Sequence, residues 1–134
     1  MVRLEMLLNF QQMIIDFTGM DIANASLLDE GTAAAEAMGL SYRISKTDTK
    51  KVFVSKNCHT QTIDGIKTRT EPRGLEVVSG DEDKDIKEDI ICSIIQYPGT
   101  LGDIKDPSEA ISKIHKQKGK AVLVCDLLAL AKLK

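Results

Sequence analysis

The segment that decides the fold is residues 23–38, Ala-Asn-Ala-Ser-Leu-Leu-Asp-Glu-Gly-Thr-Ala-Ala-Ala-Glu-Ala-Met. The small and apolar residues 25–28 predict a short strand, and residues 29–31 predict a sharp turn. An alanine-rich helix is then expected over residues 32–38, because alanine has the strongest helix propensity. The segment therefore predicts a strand that turns directly into a helix.

The turn at residues 29–31 has two interpretations. In the first, a glycine-containing turn from strand to helix points backbone N–H groups above the sheet, where they favour an anion. In the second, Asp29 only caps the helix and Gly31 only permits the turn. The carboxylates of Asp29 and Glu30 themselves complement the helix dipole, so they compete with any phosphate at this position.

The composition indicates one soluble globular domain. A chain of 134 residues with 43% hydrophobic and 28% charged residues can bury a real core. The net charge of −2 and the aromatic content of 4% argue against nucleic-acid binding and a membrane-surface role. No apolar run reaches the roughly 20 residues of a membrane span, and no signal-peptide layout opens the chain. Cys58, Cys92 and Cys125 lack zinc-site spacing and predict reduced thiols in a cytosolic or matrix-like compartment.

Hydrophobic periodicity predicts an alternation of helices and strands. The broad apolar stripe of residues 3–18 predicts a helix that ends at Gly19 and is buried on more than one side. A later helix is expected to start at Asp106, with Pro107 in its first position. The remaining expectations are buried strands near 52–55, 75–79, 90–96 and 121–125, a helix ending before Gly74, and a solvated loop at 81–89. This order predicts an α/β fold, an open and mostly parallel sheet with helices on both faces.

In an open parallel sheet, ligands bind beyond the carboxyl ends of the strands. The segments that follow predicted strands are residues 29–32, 58–60, 96–100 and Asp126. Each has a plainer interpretation, since His59 and Asp126 also suit helix capping. Cys58 and His59 are adjacent in the chain and therefore poorly placed to act as a nucleophile and its base.

Motifs along the whole chain resemble the P-protein family, the pyridoxal-phosphate-dependent glycine decarboxylase of the glycine cleavage system. They are Arg3-Leu4-Glu5 with residues 7–11, Asp16 to Gly19, residues 24–37, Val54-Ser55 with Cys58-His59 and Gln61-Thr62-Ile63, Thr68-Arg69 with Gly74, residues 96–100 with Gly102, and residues 126–130. Thr60 replaces the proline that is usual in the family, which loosens that turn without touching the expected chemistry.

The resemblance implies the aminotransferase-like (fold type I) fold and an enzyme that decarboxylates glycine and passes the aminomethyl group to the lipoyl carrier H-protein. The family has two related halves, and only the C-terminal half has the lysine that holds pyridoxal phosphate. Residues 1–134 resemble a truncated piece of the N-terminal half, a single partial domain with an N-terminal helix at 3–18, a pseudo-cofactor-site motif at 23–38 and α/β units over 52–134. Neither Lys132 nor Lys134 matches the cofactor lysine, so the piece is expected to be inactive alone.

The implied partners are the C-terminal half, the H-protein and glycine, in a dimer located in the cytoplasm, or in the mitochondrial matrix of a eukaryote.

By resemblance to the cofactor-binding half, Gly31 and Thr32 stand where the phosphate is held. His59 stands where a histidine stacks on the pyridine ring, and Asp126 where an aspartate pairs with the ring nitrogen. Because two carboxylates at residues 29–30 would repel a phosphate, this rim is expected to be a pseudo-site that supports the true site in the other half. No cofactor is expected on the fragment alone.

Two alternatives remain open, a non-catalytic flavodoxin-like α/β binding or interaction domain and an inert fragment. With residues 25–28 counted as the first strand, the family resemblance predicts the strand order 3-2-4-5. The first strand is then expected to be unpaired or poorly paired.

Overall fold

The computed structural model describes residues 2–132 and contains a sheet of four parallel strands. The strands are β1 (Lys51–Ser55), β2 (Glu76–Gly80), β3 (Cys92–Tyr97) and β4 (Lys120–Cys125), in the spatial order β2-β1-β3-β4. This is the predicted order, and the α/β class with a parallel sheet is confirmed. The apolar β1 and β3 lie in the middle of the sheet, as nearly continuous apolar runs indicate.

Helices cover both faces of the sheet, as predicted. The helices of the described chain are α1 (Val2–Thr18), α2 (Glu30–Ile44), α3 (Thr60–Thr70), α4 (Ser108–Lys116) and α5 (Leu127–Lys132). Because successive side chains of a strand point to opposite faces, Val52 and Val54 pack in the core beneath α2 and α3. Phe53 packs on the other face, with Ile114 of α4. The core is therefore two apolar layers divided by the sheet.

The predicted strand at residues 25–28 is not formed. These residues are irregular, and Leu28 is 89% exposed. A strand needs a neighbour to satisfy its backbone, and within residues 2–132 no strand lies beside this segment. The following helix is longer than expected, running from Glu30 to Ile44, because Met38 and Ser41 are buried and carry the packing past Gly39.

The N-terminal helix α1 is formed as predicted, but its predicted burial is wrong for the described chain. Gly19 ends the helix with a positive φ of 69°, and its N–H donates to the Ile15 carbonyl at 2.8 Å. No residue of α1 is buried, and Leu4 and Leu8 are 67% and 65% exposed. The reason is its position, since α1 contacts the short α5 and lies away from the sheet. Within residues 2–132, none of the helices combines the length and apolar character needed to cross a membrane.

The acidic segment at 81–89 is not simply a solvated loop. Glu82 and Ile86 are buried, with exposures of 5% and 6%. The Ser55 hydroxyl donates a hydrogen bond to the Glu82 carboxylate at 2.6 Å, and Ile86 packs in the core with Phe53. The sequence pattern did not predict the burial of these two residues, because acidic and lysine residues surround them in the chain.

Element ends differ from the sequence-based expectations by small shifts. The helix α3 continues into a 3-10 turn, Glu71–Arg73, and stops at Gly74 with a φ of 61°, as predicted. The start of α4 moves one position, because the Asp106 carboxylate accepts from the Ser108 N–H at 2.9 Å and Pro107 precedes the first helical residue. Residues after Asp126 form the short helix α5.

Candidate functional site

Three of the four predicted rim segments meet beyond the carboxyl ends of the strands. Glu30 Oε1 lies 3.9 Å from His59 Nε2, and His59 Nδ1 lies 3.1 Å from Thr100 Oγ1. The fourth position, Asp126, follows β4, and its backbone N–H donates to the Tyr97 carbonyl at 3.1 Å. The rule that ligand sites lie beyond the strand ends therefore located residues that are close in space but far apart in sequence.

The hydrogen bonds around His59 fix its neutral tautomer. The Thr100 hydroxyl donates its single proton to the Asn57 carbonyl at 2.7 Å, so its oxygen accepts from His59 Nδ1–H. The lone pair of the neutral ring is then on Nε2, which faces the Glu30 carboxylate. At 3.9 Å this second contact is too long for a hydrogen bond, but it becomes an ion pair when the imidazole is protonated.

Asp29 caps α2, which confirms the plainer interpretation of the turn. Its extended backbone (φ −151°, ψ 172°) precedes the helix, and its Oδ1 accepts from the Thr32 N–H at 2.7 Å. Its backbone carbonyl accepts from the Ala33 N–H at 2.9 Å. The Thr32 backbone N–H, with a further contribution from the Thr32 side chain, lowers the pKa of Asp29 below its ordinary value of 3.8. The carboxylate at this helix start is therefore ionised at neutral pH.

Gly31 serves helix packing. A Cβ added there would lie 3.7 Å from the Gln61 carbonyl oxygen and 3.8 Å from the Thr62 Cα, which are ordinary van der Waals distances. A Cβ added at Gly65 would lie 3.8 Å from the Gly31 carbonyl oxygen. Helices α2 and α3 therefore pack together at these two positions, where an alanine Cβ would also fit, and neither glycine forms an open cradle of the kind that a phosphate occupies.

A cleft of about 460 Å³ lies between the starts of α2 and α3. Its acidic and basic lining residues are Asp29, Glu30, His59 and Arg69. Arg69 Nη1 donates to Glu36 Oε1 at 2.9 Å, so its guanidinium is already paired with a carboxylate of α2. The cleft therefore combines an acidic helix start with a histidine.

Asp126 also has a capping role. Its Oδ1 accepts from the Ala129 N–H at 3.0 Å, at the start of the helix that follows β4. The sequence left capping and cofactor pairing open at this position, and the observed hydrogen bond is the one that capping requires.

The cysteines offer no reactive thiol at the rim. The Cys58 thiol is buried and donates to the Ile94 carbonyl at 3.6 Å, and burial raises its pKa to about 12. Burial likewise raises the pKa of Cys92 to about 12 and that of Cys125 to about 11. In the part of the chain that the structure describes, no group of three His, Cys, Asp or Glu residues is arranged to hold a metal ion.

Sequence reasoning missed the buried pair of Ser55 and Glu82 beside this rim. Ser55 is the last residue of β1, and Glu82 comes shortly after β2. Both follow the same rule of strand ends, so applying that rule to β2 as well would have marked Glu82. The acidic residues around Glu82 instead predict a solvent-exposed loop.

A family model described as the glycine cleavage system P-protein matches residues 2–134. The chain belongs to this family. Over 132 residues it is 89% identical to a glycine dehydrogenase (decarboxylating) of Pelagibacter ubique, covering 98% of this chain and 14% of that protein. It is 51% identical over 133 residues to the glycine dehydrogenase (decarboxylating) of Rhizobium meliloti, again covering 98% of the chain and 14% of the relative. The chain thus spans about a seventh of the length of these P-proteins.

Two solved structures share the fold. A glycine decarboxylase (P-protein) of the glycine cleavage system, crystallised in inhibitor-bound form, superposes with a TM-score of 0.83 at 27% identity, covering 96% of this chain and 30% of that one. A cystathione gamma lyase from Micromonospora echinospora superposes with a TM-score of 0.70 at 16% identity, covering 87% and 31%. The latter shows the fold alone. The predicted fold class, part of the large domain of the aminotransferase-like fold, is confirmed, whereas the division of residues 1–134 into a single partial domain stays a prediction.

Proposed function

We propose that this P-protein-family chain is part of the N-terminal, cofactor-free half of a glycine decarboxylase (glycine dehydrogenase, aminomethyl-transferring). The parent enzyme decarboxylates glycine with pyridoxal phosphate and passes the aminomethyl group to the lipoyl carrier H-protein. The observation that carries the proposal is the family match over residues 2–134, supported by the 89% identical relative. The match favours this function over a flavodoxin-like binding domain.

The residues present at the rim do not fit pyridoxal phosphate. At the phosphate position, the Thr32 N–H is already bonded to Asp29 Oδ1, beside the second carboxylate of Glu30. His59 is held by Thr100, and the Asp126 carboxylate accepts from the helix that follows it. We therefore assign Gly31, Thr32, His59 and Asp126 to a pseudo-site, and no step of the reaction is derived through a cofactor here.

The role left to this chain in the parent enzyme is support. Its sheet and the packed pair of α2 and α3 position the rim residues. The exposed helix α1 and the edge strand β4 offer surfaces to the rest of the polypeptide. In this proposal the partners are the C-terminal half, the H-protein and glycine, within a dimer in the cytoplasm, or in the mitochondrial matrix of a eukaryote.

A segment exchange tests the proposed function. In the Pelagibacter ubique relative, the 132 matching residues are replaced by this chain. The exchanged enzyme is assayed with a lipoyl carrier protein for transfer of labelled bicarbonate carbon into the glycine carboxyl group. We expect activity within a few-fold of the unaltered relative.

The matched control is the same enzyme with a P-protein segment of about 51% identity, such as that of Rhizobium meliloti, in place of this chain. Loss of exchange with this chain, while the control stays active, would contradict the proposal. So would bicarbonate exchange by the 134-residue chain on its own.

A further inference from the structure

We infer that the start of α2 is closed to phosphate by one residue of the chain itself, because the Asp29 carboxylate occupies the anion position that a cofactor phosphate takes at such a helix start. The inference deepens the proposed function and rests on it for the identity of the excluded phosphate as that of pyridoxal phosphate. It assigns different roles to Asp29 and Glu30, which the sequence alone does not distinguish.

The first step is geometric. A helix start binds an anion through the free backbone N–H groups of its first turn. In α2 the Thr32 N–H is bonded to Asp29 Oδ1 at 2.7 Å, and the Ala33 N–H is bonded to the Asp29 carbonyl at 2.9 Å. An incoming phosphate therefore has to displace the Asp29 side chain before it can reach the Thr32 N–H.

The second step is the difference between the two carboxylates. The Glu30 side chain extends toward His59, with 3.9 Å between Oε1 and Nε2, and it lines both the cleft beside α3 and the groove beside Cys125. Among the described hydrogen bonds, Glu30 makes none to the first turn of α2. Glu30 thus adds negative charge at a distance, whereas Asp29 occupies the position of the anion.

The third step concerns the basic residues that line the cleft within residues 2–132. Arg69 is paired with Glu36 at 2.9 Å, and His59 Nδ1 is hydrogen-bonded to the Thr100 hydroxyl oxygen at 3.1 Å. Electrostatics therefore act in the same direction as the geometry, against a dianion.

The test compares two variants that change the net charge equally. Asp29→Gly removes the acceptor and the charge, and glycine keeps an acceptable helix cap in this extended conformation. Glu30→Gln removes a charge but leaves Asp29 on the Thr32 N–H. Each 134-residue chain is titrated with inorganic phosphate, and separately with pyridoxal phosphate, while the backbone amide signals of residues 30–33 are followed by NMR. Asp29→Asn, which keeps the acceptor without the charge, is measured in parallel.

We expect no saturable shift of these amides in the unaltered chain or in Glu30→Gln. In Asp29→Gly we expect saturable binding of phosphate at least about tenfold tighter than in either, because one like charge is removed at contact distance. Asp29→Asn should stay closer to the unaltered chain than Asp29→Gly does. Saturable phosphate binding by the unaltered chain, no gain in Asp29→Gly with a dispersed spectrum, or an equal gain in Glu30→Gln would each overturn the inference. None of these measurements depends on decarboxylase activity, so this inference can fail while the proposed function stands.

Discussion

The Ser55 hydroxyl, at the end of the buried strand β1, donates a 2.6 Å hydrogen bond to the buried carboxylate of Glu82. The same hydroxyl oxygen accepts from the Asn57 N–H at 3.2 Å, so one serine connects the strand end, the turn after it and the acidic loop after β2. A buried carboxylate that loses its donor is costly, because its desolvation is no longer compensated.

Ser55→Ala should lower the free energy of unfolding by about 2 kcal/mol, because it leaves the Glu82 carboxylate buried without this donor. Ser93→Ala is the matched control, since Ser93 is a fully buried serine of β3 whose hydroxyl has no partner among residues 2–132. That change should be neutral or slightly stabilising. Urea unfolding of the two variants measures both values, and equal losses would show that the Ser55 bond contributes nothing specific.

Gly31→Ala should keep or raise stability, by up to about 1 kcal/mol, because alanine favours the helix and its Cβ meets neighbours only at 3.7–3.8 Å. Gly119→Ala is the contrasting variant, because its Cβ would lie 3.0 Å from the Ile90 carbonyl oxygen and should destabilise the chain. Thermal unfolding compares them. A marked loss for Gly31→Ala would mean that the close approach of α2 and α3 needs a bare backbone at this position.

The Asp29 cap should make part of the stability depend on pH. Its pKa is lowered in the folded chain by the Thr32 backbone N–H, from an ordinary value of 3.8. The contribution is therefore fully present above pH 3.8 and is lost as the pH falls through the lower folded-state pKa. The difference in unfolding free energy between the unaltered chain and Asp29→Asn should favour aspartate near pH 7 and shrink as the pH falls below 3.8. Other acidic groups are common to both proteins and cancel, so a constant difference would contradict this account of the cap.

The isolated chain should carry no glycine decarboxylase activity and no cofactor bound through a lysine. The reason is the occupied helix start of α2, together with the prediction from the family resemblance that no lysine of this chain corresponds to the cofactor lysine. The chain is mixed with pyridoxal phosphate and reduced with borohydride, and the products are mapped by mass spectrometry. Substoichiometric labelling spread over many lysines is the expected result, and stoichiometric attachment at one lysine would overturn the pseudo-site.

The isolated chain should self-associate through its uncovered apolar surfaces. The strand β4 is an edge of the sheet, and α1 exposes large apolar side chains, Leu4, Leu7, Leu8, Phe10, Met13 and Phe17. Leu8→Lys should weaken association in light scattering across a concentration series. Leu101→Lys, at a residue that is 94% exposed outside α1 and β4, should leave it unchanged. A monomeric unaltered chain at high concentration, with no binding of an apolar dye, would show that these surfaces tolerate exposure.

The sequence predicted the parts of this molecule that depend on local pattern. Apolar runs with β-branched residues located all four observed strands, and the family resemblance supplied their order. The strand expected at residues 25–28 failed because a local pattern does not reveal whether a neighbouring strand is present. The contact of His59 with Thr100 joins residues 41 apart, and that of Ser55 with Glu82 joins residues 27 apart. The rule that ligand sites lie beyond strand ends located the residues of the first contact. Glu82 was missed because the charged residues around it indicated a solvated loop.

The packing of α2 against α3 has a consequence for the geometry of the rim. Near Gly31 the helix α2 packs against the start of α3, and further along the ion pair of Arg69 with Glu36 joins the same two helices. Glu30 and His59 each stand at the start of one of these helices. The distance between the Glu30 carboxylate and the His59 imidazole is therefore set by how these two helices pack together as well as by the side-chain conformations.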